Sequence, residues 1–462
     1  MNIFENKVFW LIFIVLTVLV VSSYIGFEEK QIISIVILSS FISGTLLFWD
    51  QRLAFAFLGV STLLVSGVLD VEHFVHFASL DIIAFLIAMM VFIGYLEKNK
   101  LFEFILSELI PPLSGKPKFM LAFILFISAV FAAIVDEVTS ILFMLSILLA
   151  LTGKLRINPA PFIIMVVFAT NIGSSATAIG NPIGVMIALK GGFSFSDFIA
   201  NATPISISVL VVAILLCFII FRKEISEMEK RVIDMKNEKL FEKVYMDFSI
   251  FRSILVFLLV FALLVFHHQI EEMLHLQKNN MLLGAAFLGA GLAILFEREK
   301  ARSLVETRVD WWTLTFFIML FSSVGALKYV GVTSWAAQRI IAQFGNDLEV
   351  LTAVIMFSSG LLSAMLDNVL AVASFIPVLE SMKELGISSS VFWWALLFGG
   401  TLFGNLTVIG STANIVAVGI AERNWGIKIG FLEWLRAGFI VTLFTTFVAL
   451  GLVYVLNGLW VV

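Results

Sequence analysis

Acidic residues occur near the middle of two apolar runs that are too long for one membrane-crossing helix. The first run, 118–150, contains Asp136 and Glu137, and the second run, 350–382, contains Asp367. A charge at the centre of a lipid-facing helix costs about 2.5–3.5 kcal/mol. Irregular backbone is tolerated at membrane depth only where it is buried in protein or lines a cavity. Each run therefore predicts a re-entrant hairpin with a carboxylate at its tip.

The hairpin tips carry oxygen ligands that suit hard cations such as Na⁺. A carboxylate inside a membrane can also carry a proton. The tip residues that we predict to bind an ion or a substrate are Asp136, Glu137, Thr139, Ser140, Asp367 and Asn368. The alternative is that a carboxylate only caps its own short helix by accepting main-chain N–H groups, and this alternative is strongest for Glu137.

Two further segments, 170–184 and 399–414, interrupt apolar helices with glycine, amide and hydroxyl residues. Asn181-Pro182 disfavours continuous helix, and carbonyls freed at such a break can bind a cation. The alternative role for the small residues is helix packing. The predicted binding residues here are Asn171, Gly173, Ser174, Thr177, Gly180, Asn181, Asn405, Thr407, Gly410, Ser411, Thr412 and Asn414. A sodium site is predicted at Asp136, Asn171, Asp367 and Asn405.

These features recur along the chain at a nearly constant spacing, which indicates an internal duplication. Asp81 and Asp310 each open an apolar span, Asp136 and Asp367 are the hairpin tips, and Gly180 and Gly410 mark the broken helices. The spacing between the two members is the same in all three pairs to within two positions of the sequence. Five membrane crossings separate the first span from its copy if a re-entrant hairpin contributes none. Because five is odd, the repeats are predicted to be inverted, as in many secondary transporters.

The composition supports a helical membrane protein: 61% of the 462 residues are hydrophobic and 13% are charged. We predict about 11 transmembrane helices plus two re-entrant hairpins, in an all-α polytopic fold. The predicted organisation is a first helix outside the repeat at 1–31, repeat 1 at 32–221 with a broken helix at 162–188, a cytoplasmic linker at 222–252, and repeat 2 at 253–462 with a broken helix at 391–421.

Basic residues are distributed unequally between the loops. With the N-terminus in the cytoplasm, 23 lysines and arginines fall on the cytoplasmic side and six on the other. The positive-inside rule therefore predicts a multi-pass protein of the cell inner membrane with a cytoplasmic N-terminus and an outer C-terminus. Membrane lipid is the expected surrounding, and the sequence indicates neither a nucleic-acid partner nor a cofactor.

Other polar residues in apolar surroundings have simpler explanations. Cys217 is alone, so no disulfide can form within the chain, and we expect it to fill space as a small apolar side chain. Asp81 and Asp310 are expected to cap helices. His267 and His268 end a span and are expected to be solvated.

The tip and break segments resemble those of the ion transporter superfamily, specifically its arsenite permease and sodium–proton antiporter (ArsB/NhaD-like) branch, with a citrate-transporter-like domain. The similarity lies in SAVFAAIVDEVTSILFM, NIGSSATAIGNPIGVMI, SAMLDNVLAVASFIPVL and GGTLFGNLTVIGSTANIVAVGIAER. It implies a scaffold part, a moving transport part and a homodimer. The dicarboxylate branch has Ser-Asn-Thr at its tips, which this chain lacks, and Glu137 departs from the Asp-Asn pair expected in the first hairpin.

Three functions follow from these residues. The first is alternating-access antiport of Na⁺ against H⁺, in which both ions compete for the tip carboxylates, so that Asp136→Asn and Asp367→Asn are each expected to abolish transport. The second is proton-coupled efflux of arsenite or antimonite, or transport of a small anion such as a carboxylate. The third, an intramembrane aspartyl protease, would need two aspartates that share one water and usually a G-x-G-D element, which is missing. We therefore predict a transporter and no enzyme.

Overall fold

A computed structural model describes residues 3–113, 115–234 and 243–458 of the chain. Every regular element within these ranges is helical, as the composition predicts. The helices up to the linker are α1 (Ile3–Ile25), α2 (Glu29–Leu47), α3 (Arg52–Val65), α4 (Val71–Phe77), α5 (Leu80–Lys98), α6 (Leu101–Leu109), α7 (Pro117–Ile134), α8 (Glu137–Leu155), α9 (Ala160–Ser174), α10 (Pro182–Gly191), α11 (Phe195–Asp197) and α12 (Thr203–Ile220).

The linker and the second half contribute a further series of helices. They are α13 (Arg222–Asp234), α14 (Phe248–Val265), α15 (His267–Met273), α16 (Asn280–Glu297), α17 (Ala301–Arg308), α18 (Trp311–Tyr329), α19 (Val332–Phe344), α20 (Leu348–Met365), α21 (Asn368–Glu384), α22 (Ser390–Leu402), α23 (Thr412–Trp425) and α24 (Phe431–Leu456). Short 3₁₀ turns cover Trp49–Gln51, Pro111–Leu113, Arg298–Lys300 and Phe403–Asn405, and a π-helical turn covers Phe198–Ala202.

Eleven helices of the described chain are long and apolar enough to cross a membrane. The prediction of an all-α, polytopic membrane protein is confirmed. The number of helices also agrees with the prediction. The set of helices differs, because the eleven include α7, α8 and α20, which are arms of the two hairpins and were predicted separately. Helix α3, which has 14 residues, and the halves of both broken helices are shorter than a full span.

Both hairpins turn at the acidic residues. Helix α7 ends at Ile134 and α8 begins at Glu137, and helix α20 ends at Met365 and α21 begins at Asn368. Only two residues separate the helices in each pair, and α7 packs against α8. The carboxylates therefore lie at the start of the second helix of each hairpin.

Both broken helices are interrupted at the predicted glycines. Between α9 and α10 the chain leaves the helix from Ser175 to Asn181, and Asn181 accepts a hydrogen bond from Gly184 N as the N-cap of α10. Between α22 and α23 the chain passes through a 3₁₀ turn, and Ser411 is the N-cap of α23. Proline at the first position of α10 has no N–H to leave unpaired.

The chain divides into two compact units, and each draws on both halves of the sequence. One unit consists of residues 1–84, 309–351 and 373–389. The other consists of residues 85–308, 352–372 and 390–462. The second unit holds the first hairpin, both broken helices and the tip of the second hairpin, so it contains the candidate site. The division into repeats and the inversion remain predictions from the sequence.

The linker between the predicted repeats is helical and amphipathic in its first part. Helix α13 buries Ile225, Met228 and Val232 and packs against α7, α8 and α12. Lys118 of α7 pairs with Glu229 at 2.9 Å. This part of the linker therefore packs against the first hairpin and is not fully solvated. Residues 235–242 of the linker lie outside the described chain. The last four residues of the predicted outer C-terminus also lie outside it.

Several isolated polar residues have the expected local roles. Asp310 accepts a hydrogen bond from Thr313 N at 3.0 Å as the N-cap of α18, and Asp81 lies in the first turn of α5. Cys217 is buried in α12. The expectation for His267 is wrong: its side chain is only 1% exposed, and its Nδ1 lies 2.9 Å from the Leu264 carbonyl oxygen. His268 is exposed and approaches Glu272 at 3.4 Å.

Candidate functional site

Asp136 caps the second helix of the first hairpin. One carboxylate oxygen accepts a hydrogen bond from Thr139 N at 2.8 Å, and the other accepts one from Thr139 Oγ1 at 2.7 Å. The same Asp-x-x-Thr pattern caps α18, where Asp310 accepts from Thr313 N at 3.0 Å and from Thr313 Oγ1 at 2.6 Å. This recurring pattern is visible in the sequence and identifies Asp136 as a capping residue.

Glu137 is the carboxylate on which separate elements converge. It is 2% exposed. Its Oε2 accepts a hydrogen bond from Ser174 Oγ at 3.1 Å, at the end of α9. Its Oε1 lies 3.4 Å from Asn368 Nδ2 at the tip of the second hairpin and 3.4 Å from Ser411 Oγ at the start of α23. Glu137 thus connects its own hairpin with the other hairpin and with both broken helices.

The second hairpin presents a carboxylate and an amide. Asp367 is 8% exposed, accepts a hydrogen bond from Val369 N at 3.0 Å, and accepts another from Thr412 Oγ1 at 3.0 Å. Asn368 is fully buried, and its Oδ1 also lies 2.9 Å from Val369 N. Asn368 Nδ2 is thereby directed to Glu137.

A network of buried amides joins the two broken helices. Asn171 Nδ2 donates to Asn405 Oδ1 and to Asn414 Oδ1, both at 2.8 Å, and Asn171 Oδ1 accepts from Ser411 Oγ at 3.2 Å. Asn171, Asn405 and Asn414 are all 0% exposed. Because Ser411 contacts both Asn171 and Glu137, the amide network lies directly beside the buried carboxylate.

The orientation of each amide follows from main-chain carbonyls. Asn414 Nδ2 donates to Gly404 O at 2.7 Å and to Thr407 O at 2.8 Å, so Asn414 Oδ1 must face Asn171. Asn171 then turns its Nδ2 to Asn405, which must present Oδ1 in return. Asn405 Nδ2 is left as a buried donor without an acceptor among the described residues. The hydroxyls of Thr170 and Thr401 are likewise buried and have no hydrogen-bond partner among the described residues.

Most other predicted residues support the tips and breaks through hydrogen bonds. Asn181 Nδ2 donates to Ser174 Oγ at 2.8 Å, and Ser140 Oγ donates to Ser128 O at 3.1 Å between the arms of the first hairpin. Gly180 and Gly410 lie inside the two breaks, as predicted. The structure brings Asn171 and Asn405 of the predicted sodium set into direct contact, whereas Asp136 bonds to its own helix and Asp367 to Val369 and Thr412.

Close packing of the first broken helix depends on Gly173. A Cβ at this position would lie 2.1 Å from the Ala129 carbonyl oxygen and 2.3 Å from the Ala129 Cα. The equivalent contact in the second half has the glycine on the other partner, because a Cβ at Gly360 would lie 2.3 Å from the ring of Phe403. In each half, the first hairpin arm and the broken helix can approach only because one partner lacks a side chain.

One residue that supports the site was not predicted from the sequence. Trp434 of α24 is fully buried and donates from Nε1 to the Asn405 carbonyl oxygen at 3.0 Å. A tryptophan in an apolar helix is usually an interfacial anchor in a membrane protein. The sequence offers no signal that distinguishes Trp434 from such an anchor, because its partner belongs to a distant turn.

Comparison with known proteins identifies related chains of similar length. A family model described as a citrate transporter matches residues 45–399 and, in an overlapping second match, 330–459. The chain is 33% identical over 378 residues to a 46 kDa membrane protein of Mycobacterium leprae, covering 81% of this chain and 85% of that protein. An uncharacterized transporter of Synechocystis is 25% identical over 406 residues, with 83% and 88% covered.

More distant similarities extend to a human protein and to a solved structure. The P protein of Homo sapiens is 26% identical over 441 residues, which cover 80% of this chain and 52% of the human protein. The crystal structure of the Alcanivorax borkumensis YdaH transporter, described as having an unusual topology, superposes with a TM-score of 0.59 and 17% identity, covering 84% of this chain and 87% of that one. This structural likeness concerns the fold alone.

Proposed function

The chain belongs to the citrate transporter family and is a multi-pass membrane transporter, and we propose that it exchanges protons for a small cation, with Na⁺ as the first candidate and Glu137 as the group that binds both. Family membership confirms the resemblance to the ion transporter superfamily and the prediction that the protein is no enzyme, so the protease alternative is discarded. The observation that supports cation–proton exchange is the environment of Glu137: a buried carboxylate whose hydrogen-bond partners among the described residues, Ser174, Asn368 and Ser411, are all neutral.

A neutral set of partners leaves the negative charge of Glu137 uncompensated when the site is empty. Burying an unpaired carboxylate is costly, so the free energy of the site is lowest when it holds either a proton or a cation. The hydroxyl oxygens of Ser174 and Ser411 are ligands of the type that a hard cation prefers. Competition between H⁺ and a cation for the same carboxylate is then sufficient for exchange during alternating access.

Asp367 lies beside Asn368 at the tip of the second hairpin, and it is a second carboxylate for balancing the charge of the cation. Its Oδ2 is bonded to Thr412, which opens α23. Two acidic groups near one cation favour a cation over a multiply charged anion, because an anion would be repelled by both. We therefore assign Glu137 the main role and Asp367 a supporting role.

The proposal is tested with purified protein in vesicles that carry a pH-sensitive dye. We expect proton movement when Na⁺ or Li⁺ is added, and none in the Glu137→Gln variant. Glu306→Gln is a matched control, because Glu306 is an exposed residue that pairs with Arg302 in its own helix. A flat pH signal for Na⁺, Li⁺ and K⁺ in the native protein would overturn cation–proton exchange.

Carboxylate transport is the second candidate, and it is favoured by the donor on Asn405 that has no acceptor among the described residues. A donor cannot ligate a cation, whereas it can bind an oxygen of a carboxylate. The family model is that of a citrate transporter. The same vesicles, loaded with labelled citrate, distinguish the two candidates: uptake that depends on Asn405, without proton movement by Na⁺ alone, favours the carboxylate.

Arsenite or antimonite efflux requires no positively charged site, because arsenite is neutral near pH 7. Deletion of the gene would test it: lost resistance to arsenite with unchanged tolerance to sodium would favour efflux of the metalloid. The vesicle assay with arsenite in place of Na⁺ gives an independent answer with the purified protein.

Orientation and assembly are proposed on sequence grounds. The basic residues favour the cell inner membrane, a cytoplasmic N-terminus and an outer C-terminus, and the resemblance favours a homodimer. Since Cys217 is the only cysteine, a Cys217→Ser chain offers a background for single cysteines at Lys154 and Lys278. A membrane-impermeant thiol reagent applied to intact cells should label position 278 and not position 154.

A further inference from the structure

We propose that Thr177 and Thr407 are positioning residues that fasten each broken helix to the first arm of its own hairpin. Thr177 Oγ1 donates a hydrogen bond to the Ala133 carbonyl oxygen, and Thr407 Oγ1 donates to the Ala364 carbonyl oxygen at 2.6 Å. The two threonines, and likewise the two alanines, are separated along the chain by the spacing that relates the other repeat-equivalent residues. The same bond is therefore made at equivalent points in both halves of the chain.

The accepting carbonyls are those that a helix end leaves unpaired. Ala133 is the second-last residue of α7, and Ala364 is the second-last residue of α20. The last four carbonyls of a helix have no partner within that helix. In apolar surroundings an unpaired carbonyl is costly, and a threonine from the neighbouring break supplies the missing donor.

The hydroxyl of Thr177 has little capacity left for an ion. Its single proton goes to Ala133 O, and its oxygen accepts a hydrogen bond from Ile179 N at 3.3 Å. The hydroxyl of Thr407 likewise gives its proton to a main-chain carbonyl. Although both residues lie in the predicted binding segments, these bonds assign them to holding the break in place rather than to contacting the transported species.

The position of each break determines the surroundings of Glu137. In the first break, Asn181 bonds to Ser174, and Ser174 donates to Glu137. In the second break, Ser411 approaches Glu137 at 3.4 Å. A threonine bond that fixes the break against the hairpin thus fixes the distance between the Glu137 carboxylate and both hydroxyls. The inference depends on transport by this chain but not on which ion it carries.

The test compares Thr177→Val and Thr407→Val with Thr177→Ser and Thr407→Ser. Valine preserves the volume and removes the donor, whereas serine retains the donor. Thr152→Val is the matched control, because Thr152 is buried in α8 and its hydroxyl bonds to Leu148 O within the same helix. Hydrogen exchange of the purified protein is measured at the amides of 175–181 and 406–411.

We expect the valine variants to exchange these amides about tenfold faster, as the loss of one buried hydrogen bond predicts, with no change in the serine variants or in Thr152→Val. In vesicles, the half-saturating concentration should rise in the valine variants by a factor that is equal for Na⁺ and Li⁺. A hydroxyl that does not touch the ion cannot discriminate between these two ions. Unchanged hydrogen exchange in the valine variants, or a rise in the half-saturating concentration of only one of the two ions, would overturn the inference. The exchange measurement remains decisive even if Na⁺ is not transported.

Discussion

Glu137 and Asn368 occupy equivalent positions in the two halves of the chain, and their side chains meet, with 3.4 Å between Asn368 Nδ2 and Glu137 Oε1. One half thus contributes a carboxylate at this position and the other half an amide. The pair lies where both hairpin tips come together. The two predicted repeats therefore differ in charge at a position where their side chains are in contact.

Moving the carboxylate across this pair tests the role of Glu137. We expect Glu137→Gln to lower proton-coupled transport to background, because the site loses the carboxylate on which three other elements converge. The double variant Glu137→Gln with Asn368→Asp should regain measurable transport, since it restores one negative charge at the same contact. The initial rate of proton movement in vesicles measures both.

Asp136→Asn is the matched comparison for that experiment. Because Asp136 bonds to Thr139 of its own helix and asparagine is also a good N-cap, this variant should preserve the start of α8 and retain transport, contrary to the expectation from the sequence that it abolishes transport. Activity in Glu137→Gln together with inactivity in Asp136→Asn would reverse the assignment of the two adjacent carboxylates.

Asn171 is expected to be important for stability as well as for transport. Asn171→Ala removes two hydrogen bonds at 2.8 Å and leaves buried acceptors on Asn405 and Asn414 unpaired. Each unsatisfied buried group costs about 1–3 kcal/mol, so the melting temperature in detergent should fall by several degrees. Asn201→Ala, which removes one partly buried bond to Asp197 O, serves as the control and should have a smaller effect.

Two glycine substitutions should change stability in opposite directions. Gly173→Ala would place a methyl group 2.1 Å from the Ala129 carbonyl oxygen, and we expect it to destabilise the protein by at least about 1–3 kcal/mol. Gly153→Ala adds a methyl group inside α8 that meets no atom within 4 Å beyond the adjacent backbone of its own helix, and it should stabilise the helix by about 0.5–1 kcal/mol. The melting temperatures of both variants measure these changes in stability. Equal changes in the two variants would contradict the close approach of α7 and α9.

Glu103 gives a pH dependence that can be measured outside the candidate site. Burial raises the pKa of this α6 carboxyl above its ordinary value, and one of its oxygens is buried without a hydrogen-bond partner among the described residues. The folded protein therefore holds the proton more tightly, and the stability that Glu103 confers is present at low pH and decreases as the pH rises through the folded pKa.

Glu103→Gln should accordingly raise the melting temperature at pH 7.5, by about 1–3 °C, and lose this advantage near pH 4. The melting temperature is measured at both pH values beside Glu306→Gln, whose carboxylate is exposed. A gain that is the same at both pH values would show that the effect is not one of ionisation.

Much of the architecture could be predicted from local patterns. Apolar runs predicted the helices, glycine and proline predicted the breaks, and the nearly constant spacing of Asp136 from Asp367 and of Gly180 from Gly410 indicates a duplication. The helix ends and breaks can be predicted locally because they depend on residues within one turn of the chain, whereas the duplication is seen only by comparing distant segments. Even the capping role of Asp136 was accessible, since Asp-x-x-Thr recurs at Asp310.

The tertiary structure alone decided which polar residues meet. Asp136 and Glu137 are neighbours in sequence, yet one bonds to its own helix while the other reaches three distant elements. Helix packing also turned the Asn171 amide toward Asn405, and it buried His267, which the sequence suggested was solvated. The sequence alone determined where the chain bends and breaks, whereas the direction of each buried side chain at the site depends on partners in the other half of the chain, which no local pattern encodes.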